Sequence, residues 1–327
     1  MTAPIVIVGG GLAGTTLAWM LHQRGVPFTL LDDGKPFSSS RVAAGLITPI
    51  TGFKPTVTWR WEELRDSAFA FYSRIEAEIG EHFFHQRKAV RIFENDQESR
   101  QFRRCGDRVK LCEATLPAGF LAPFGAMTMA PAARLDVRKY LVDSHAYFAD
   151  RGWLNASISG KERVVHAVGF GPCPPFAEIP FAASKGEILT LRIPGLHEDR
   201  TVNRRGTWLT PIGPELYRAG STYDKTTLDE VPTDSGRDAI LAKLALFITL
   251  PVEVVAREAA VRPIIRTSKP LIGYKPGNDS VFYFNGLGSK GSLTAPWAAA
   301  QLAAAIADGT PPDPEIDLAT FLSTGRP

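Results

Sequence analysis

Cysteine is scarce in this chain: Cys105, Cys112 and Cys173 are the three among 327 residues. An odd count without metal-type spacing argues against a disulfide framework and against structural zinc. The six histidines are spread with no ligand interval, so no metal is expected. Long apolar runs are also missing: nothing approaches the roughly 20 residues of a membrane-spanning helix. The first apolar stretch begins almost at the initiator Met, leaving no room for a secretory signal, and we expect a cytoplasmic protein. Nor does one sign of charge dominate. Lys+Arg 37 against Asp+Glu 34, a net +3, permits contact with nucleic acid without predicting it. Internal repeats and low-complexity tracts are absent. With 44% hydrophobic residues, the length suits a folded protein with two core-bearing units.

What is present is concentrated at the front. An apolar run, Ile5 to Val8, meets Gly9-Gly10-Gly11-Leu12-Ala13-Gly14; a helical pattern runs to Arg24, and a second apolar run, Phe28 to Leu31, ends on Asp32. Strand, glycine turn, helix, strand and acid form the dinucleotide-binding pattern. Gly9 permits the tight turn, Gly11 lets backbone approach a pyrophosphate, and Gly14 lets helix pack on strand. The helix start offers free N–H groups to phosphate. A carboxylate at Asp32 accepts from an adenosine ribose and repels a 2′-phosphate.

Further along, Asp33 opens a turn, and Ser38 to Leu46 is small and polar around Arg41, Ala44 and Gly45, suited to lying against a flat or phosphate-bearing ligand; a flexible surface loop is the competing reading. Helical spacing from Val57 to Ile79 stops at Gly80, and Trp59, Trp61, Phe69 and Phe71 read as core packing rather than a cofactor box. Asn95 and Asp136 read as helix caps, the second opening a helix to Asp150. Val164 to Gly171 is a short strand running into Gly169. An alternating run starts at Lys185-Gly186, a hairpin spans Thr207 to Ala219, and a helix covers Ser235 to Phe247. Strands at Val254 to Val261 and Val281 to Phe284 precede Gly286-Leu287-Gly288-Ser289-Lys290-Gly291-Ser292 and an alanine-rich helix. The expected class is α/β with an α+β insert. A Rossmann-like dinucleotide-binding domain (1–52, 131–185 and 258–327) would carry an inserted mixed-sheet substrate domain (53–130 and 186–257).

On these motifs the chain resembles, over nearly its whole length, the FAD-dependent D-amino-acid oxidase superfamily, which includes glycine and sarcosine oxidases. The residues that carry the resemblance are the fingerprint with Asp32, Arg41 to Leu46, Val165 to Gly171, Lys185-Gly186-Glu187, Ala260-Val261-Arg262-Pro263 and Gly286 to Pro296. The last segment looks especially like the oxidase domain of the bacterial bifunctional tRNA-wobble-uridine enzyme. The resemblance implies FAD bound through Gly9, Gly11, Leu12, Ala13, Gly14, Asp32, Asp33, Arg41, Ala44, Gly45, Gly169, Gly288, Ser289, Lys290, Gly291 and Ser292. It implies that Arg262 clamps a substrate carboxylate and that the segment at Lys290 lies against the flavin ring. Two departures stand out. The strand-rich segment that touches adenine in relatives shrinks to Trp153 to Ser159, and no cysteine follows Cys173, so noncovalent FAD is implied.

The implied reaction is oxidation of a C–N bond in an amino acid or carboxylate-bearing secondary amine, with hydride passing to flavin N5 and dioxygen reoxidising it to peroxide. Arg262 suits bidentate carboxylate binding, with an interface salt bridge as its alternative. Lys290 and Ser289 place positive charge and donors near the flavin, though a solvated lysine at a helix start is an equal reading. Lys54 and Lys185 are candidates for promoting reaction with oxygen. Tyr223 and Tyr217 are candidate substrate donors or simply half-buried strand residues. Two other functions stay open: a tRNA wobble-uridine oxidase acting on a carboxymethylaminomethyl group, and a noncatalytic flavin-binding partner protein.

Overall fold

The structure is a computed structural model that describes residues 4–36, 38–52, 55–106, 109–157 and 159–324. Its front folds as the pattern demands. β1 (Ile5–Val8) runs into α1 (Leu12–Gln23), and β2 (Phe28–Leu31) returns parallel to β1, with Ile5 opposite Phe28. A Cβ on Gly14 would lie 2.0 Å from the Gly9 carbonyl oxygen, so helix and strand can meet this closely only at glycine.

The short α2 (Ser39–Val42) and β3 (Leu46–Ile47) lead to α3 (Trp61–Ile79), which starts later than its apolar spacing suggests and ends at Gly80 in the left-handed region, φ 81°. Next come β4 (Phe84–Gln86), β5 (Ala89–Ile92), α4 (Asp96–Arg103), β6 (Lys110–Glu113), β7 (Ala126–Ala130), β8 (Ala133–Leu135) and α5 (Val137–Asp150). Asn95 and Asp136 cap α4 and α5, accepting from the N–H groups of Glu98 and Lys139. The middle of the chain is mostly strand: β9 (Arg163–His166), β10 (Ser184–Arg192), β11 (Thr201–Arg204), β12 (Thr207–Gly213) and β13 (Leu216–Gly220). After α6 (Asp234–Leu244) come β14 (Glu253–Arg262), β15 (Leu271–Lys275), β16 (Asn278–Asn285), α7 (Gly291–Asp308) and α8 (Leu318–Ser323).

The described strands form three sheets. The first has the order β15-β16-β9-β1-β2; β9 lies parallel beside β1, Val8 opposite His166, which carries Gly169 to the fingerprint. One core joins this sheet to helices on it: Leu17 and Trp19 of α1, Trp61 and Tyr72 of α3, Tyr140 of α5, and Leu302 of α7. Thus α3, in the stretch expected to belong to the inserted unit, packs with the first sheet. The second sheet, β14-β10-β13-β12-β11-β5-β7-β6, is antiparallel except for β11 beside β5. Leu189, Leu191, Leu209 and Tyr217 on one of its faces pack with Ile240 and Leu244 of α6, leaving the other face for the site. The joint expected at 257/258 falls inside β14, a strand of this second sheet. β3, β8 and β4 make a third, small sheet. Among the described residues no helix is long and apolar enough to cross a membrane.

Candidate active site

A cleft of about 1210 Å³ is lined from both large sheets. It exceeds the roughly 300–1,000 Å³ that holds one small ligand, leaving room for a dinucleotide and a second molecule. Gly9, Gly11, Leu12, Ala13, Asp32, Asp33, Arg41, Ala44, Gly45, Gly169 and residues 288–292 border it, together with Arg262 and Tyr223. Gly14 does not; its place is the contact between α1 and β1.

At one end, α1 begins at Gly11 without a side-chain cap and without an acid in its first turn, so its positive end is left for an anion. Gly9, at φ 112°, would bring a Cβ within 2.5 Å of the Ala167 carbonyl oxygen, and a Cβ on Gly11 would lie 3.0 Å from Ser40 Oγ. The Leu12 N–H donates to Ser40 Oγ at 3.0 Å. The result is a cradle of bare backbone that suits a pyrophosphate. Asp32 sits at the end of β2, and the short segment after α5 holds it there: the Asp32 N–H donates to Asn155 Oδ1 at 2.9 Å, and Leu30 N–H donates to the Trp153 carbonyl. Asp32 Oδ2 lies 3.3 Å from Arg41 Nη2 and 3.5 Å from His145 Nδ1.

His145, to which sequence reasoning gives no role, also has Nε2 3.0 Å from Thr15 Oγ1. Burial pushes its pKa down, against the opposing pull of Asp32, so near neutral pH it is an uncharged brace between α1 and Asp32. A lone histidine on a helix face carries no sequence signal for this.

Toward the middle of the cleft, residues 42–45 are tied to the second sheet. Arg218 of β13 donates from Nη1 to the Ala43 carbonyl at 3.0 Å and from Nη2 to the Val42 carbonyl at 2.9 Å and to Glu258 Oε2 at 2.8 Å. Arg138 of α5 reaches the other oxygen of Glu258 at 2.5 Å. Gly45 is required by its surroundings, for a Cβ would fall 1.8 Å from the Leu135 carbonyl oxygen.

Arg262 and Lys290, both half-buried, bring two cations to the far end. Arg262 donates from Nη2 to Ser221 Oγ at 2.8 Å and from Nη1 to the Thr222 carbonyl at 3.2 Å, and its guanidinium stands 4.3 Å from the Tyr223 ring centroid. Burial pulls its pKa below the ordinary guanidinium value. Lys290 Nζ meets Thr58 Oγ1 at 3.5 Å, and burial lowers its pKa. Neither cation is paired with a carboxylate of the described residues, so each has capacity for an anion brought by a ligand.

Tyr223 is 59% exposed at the cleft mouth. Tyr217 belongs to the core of the second sheet instead: its hydroxyl donates to the Leu196 carbonyl and accepts from the Glu198 N–H, and it does not border the cleft. Lys185 likewise faces elsewhere, with Nζ 2.6 Å from Asp229 Oδ1. Lys54 lies outside the described residues.

Residues 4–305 match the family model described as FAD dependent oxidoreductase, DAO. The chain is 25% identical to glycine oxidase of Pseudomonas aeruginosa over 366 residues, covering 100% of both. It is also 25% identical over 381 residues to the tRNA 5-methylaminomethyl-2-thiouridine biosynthesis bifunctional protein MnmC of Marinobacter nauticus; that match takes in 99% of this chain and 58% of the relative, so the chain spans little more than half of that protein. Among solved structures the fold is similar to glycine oxidase from Geobacillus kaustophilus, with a TM-score of 0.81, 18% identity and 98% of each chain covered. It is also similar to iminodiacetate oxidase from Chelativorans sp. BNC1, with a TM-score of 0.75, 19% identity and 94% and 96% covered.

Proposed function

Because the chain belongs to the FAD dependent oxidoreductase (DAO) family, we propose that it oxidises the C–N bond of an amino acid or secondary amine that carries a carboxylate. The observation that supports this reading is Arg262: a half-buried guanidinium in the same cleft as the dinucleotide cradle, without an acidic partner among the described residues. FAD, when bound, supplies the acceptor for the hydride that leaves the carbon next to nitrogen. The chain's own residues bind and orient. The N-terminus of α1 and Gly9, Gly11, Leu12 and Ala13 receive the pyrophosphate, and Asp32, Asp33 and Arg41 the adenosine side. Ala44, Gly45, Gly169 and residues 288–292 line the ring. Arg262 holds the carboxylate in two charge-assisted hydrogen bonds, and Tyr223 closes over it from the mouth. Lys290 would set its positive charge beside the bound ring.

In this reading FAD is noncovalent, since the described Cys105, Cys112 and Cys173 do not border the cleft, and dioxygen, reduced to hydrogen peroxide, is the final acceptor. The expected division into cofactor (1–52, 131–185 and 258–327) and substrate (53–130 and 186–257) parts then follows the two large sheets, except that β14 with Arg262 goes whole with the second sheet and α3 with the first. The test is the visible spectrum of the purified protein under anaerobic conditions, before and after pooled glycine, N-methylglycine, proline and D-amino acids. Flavin bands should bleach in the wild type. Arg262→Leu should keep the bands and lose about a thousandfold in reduction rate per substrate concentration, the order expected for truncating one partner of a buried charge pair. Normal bleaching by that variant would refute the clamp.

A further inference from the structure

The cleft does not end at Arg262. It continues over the second sheet, where strand register aligns Ile188, Gly220, Trp208, Asn203 and Arg91 in one row, each opposite the next on neighbouring strands. Residues directly opposite share a face, and Ile188, Trp208, Asn203 and Arg91 all border the cleft. Gly220 makes room for the indole, because a Cβ there would stand 2.9 Å from Trp208 Cζ2. Asn203 Nδ2 is buried and has no partner among the described residues, a condition that stays unfavourable until an acceptor arrives. Arg91 beside it is already satisfied, by Glu98 Oε1 through Nε and Nη2 and by the Gly52 carbonyl through Nη1. The end of the row therefore suits a neutral acceptor rather than an anion.

Distance decides what could use both ends. The guanidinium of Arg262 stands over Gly186 of β10, where a Cβ would lie 2.0 Å from Nη2. Asn203 is three strands away along β10-β13-β12-β11, roughly 14 Å at the usual strand spacing. A molecule the size of glycine held at Arg262 ends far short of it.

We propose that the row is a second substrate subsite. Resting on the reading of Arg262 as the carboxylate clamp, the amine that this chain oxidises carries an extended arm: a flat ring that lies against Trp208, and beyond it a neutral carbonyl that accepts from the Asn203 amide. The ring contributes stacking and apolar burial, and the carbonyl pairs the orphaned donor.

The test titrates the FAD-loaded protein with acetate, phenoxyacetate and 4-carbamoylphenoxyacetate, following the perturbation of the visible flavin band. None of the three has an amine to oxidise, so binding is read without turnover. In the wild type, Kd should fall about tenfold from acetate to phenoxyacetate and about fivefold more with the carbamoyl group, as one stacked ring and one hydrogen bond to a buried donor allow. Trp208→Ala should remove the first step, and Asn203→Leu or Asn203→Ser only the second, each variant referenced to its own acetate affinity. A wild-type Kd for phenoxyacetate within twofold of that for acetate overturns the subsite, whatever the variants do, as does a carbamoyl gain that survives at Asn203. If Arg262→Leu binds acetate as tightly as the wild type, the clamp itself is wrong and the row loses its anchor; that failure is distinct from a clamp that binds acetate and ignores the arm.

Discussion

Arg262 can lie across the second sheet because Gly186, on the neighbouring strand, has no side chain. A Cβ at Gly186 would stand 2.0 to 2.4 Å from three guanidinium atoms, so Gly186→Ala must push the arginine off Ser221 and Thr222. We expect this variant to keep its flavin and to lose carboxylate affinity by at least about thirtyfold, near the lower bound for breaking a desolvated charge contact; unchanged acetate binding would show that the guanidinium has another comfortable position. The pair also shows what was legible at this scale. Val261-Arg262-Pro263 and Lys185-Gly186-Glu187 are readable as separate motifs, but nothing in the chain announces that one fits over the other, since that depends on the register of β10 against β14. The same limit explains Tyr217 and Tyr223, which look alike in sequence and end on a core face and at the cleft mouth. It also explains Lys185, whose ammonium is spent on Asp229, and Trp208, which carried no signal apart from its neighbours across the strands.

Among the elements, α1 and its flanking strands were readable because the contacts that shape them are local, Gly14 against Gly9, β2 beside β1, Asp32 at the end of β2, whereas the braces from β9, His145 and Asn155 were not. Helix caps at Asn95 and Asp136 were readable for the same reason. β15 escaped because its run around Gly273 is short and gains strand character only by pairing with β16. The tether between elements was equally hidden. Arg218 of β13 satisfies two carbonyls of residues 42 and 43 and meets Glu258 of β14, fixing the small-residue segment against the second sheet. Arg218→Met removes all three contacts while leaving a carboxylate that Arg138 alone must satisfy. Unfolding in urea should show a loss on the order of 3 kcal/mol, and FAD affinity should fall with it. A stability change below about 0.5 kcal/mol, the range of ordinary surface substitutions, would mean that the segment holds its place without the tether.

At the scale of the whole molecule, the cleft takes its walls from both large sheets, so a ligand that fills it stabilises both. At a hundred times its Kd, FAD should add about 2.7 kcal/mol, which raises Tm by roughly 4 °C for a chain of this size; separate melting of two units with only one responding to FAD would contradict a shared cleft. Lys290 makes the converse case, a group whose placement serves the ligand and costs the empty fold. Its pKa is lowered by burial, so between its folded value and the ordinary lysine value of about 10.4 the unfolded chain binds more protons than the folded one. Stability of the flavin-free protein therefore rises with pH through that window, and below it the penalty is present in full. Replacing Lys290 by Met deletes the titrating group from both states. The flavin-free variant should be more stable than wild type at pH 7 and should lack the rise toward pH 10, while the FAD-loaded variant should be reduced more slowly by substrate. Parallel urea-stability profiles for the two proteins would place the ammonium in water and remove it from the site; a stabilised variant with slower reduction would show a buried charge kept for the chemistry at the expense of the fold.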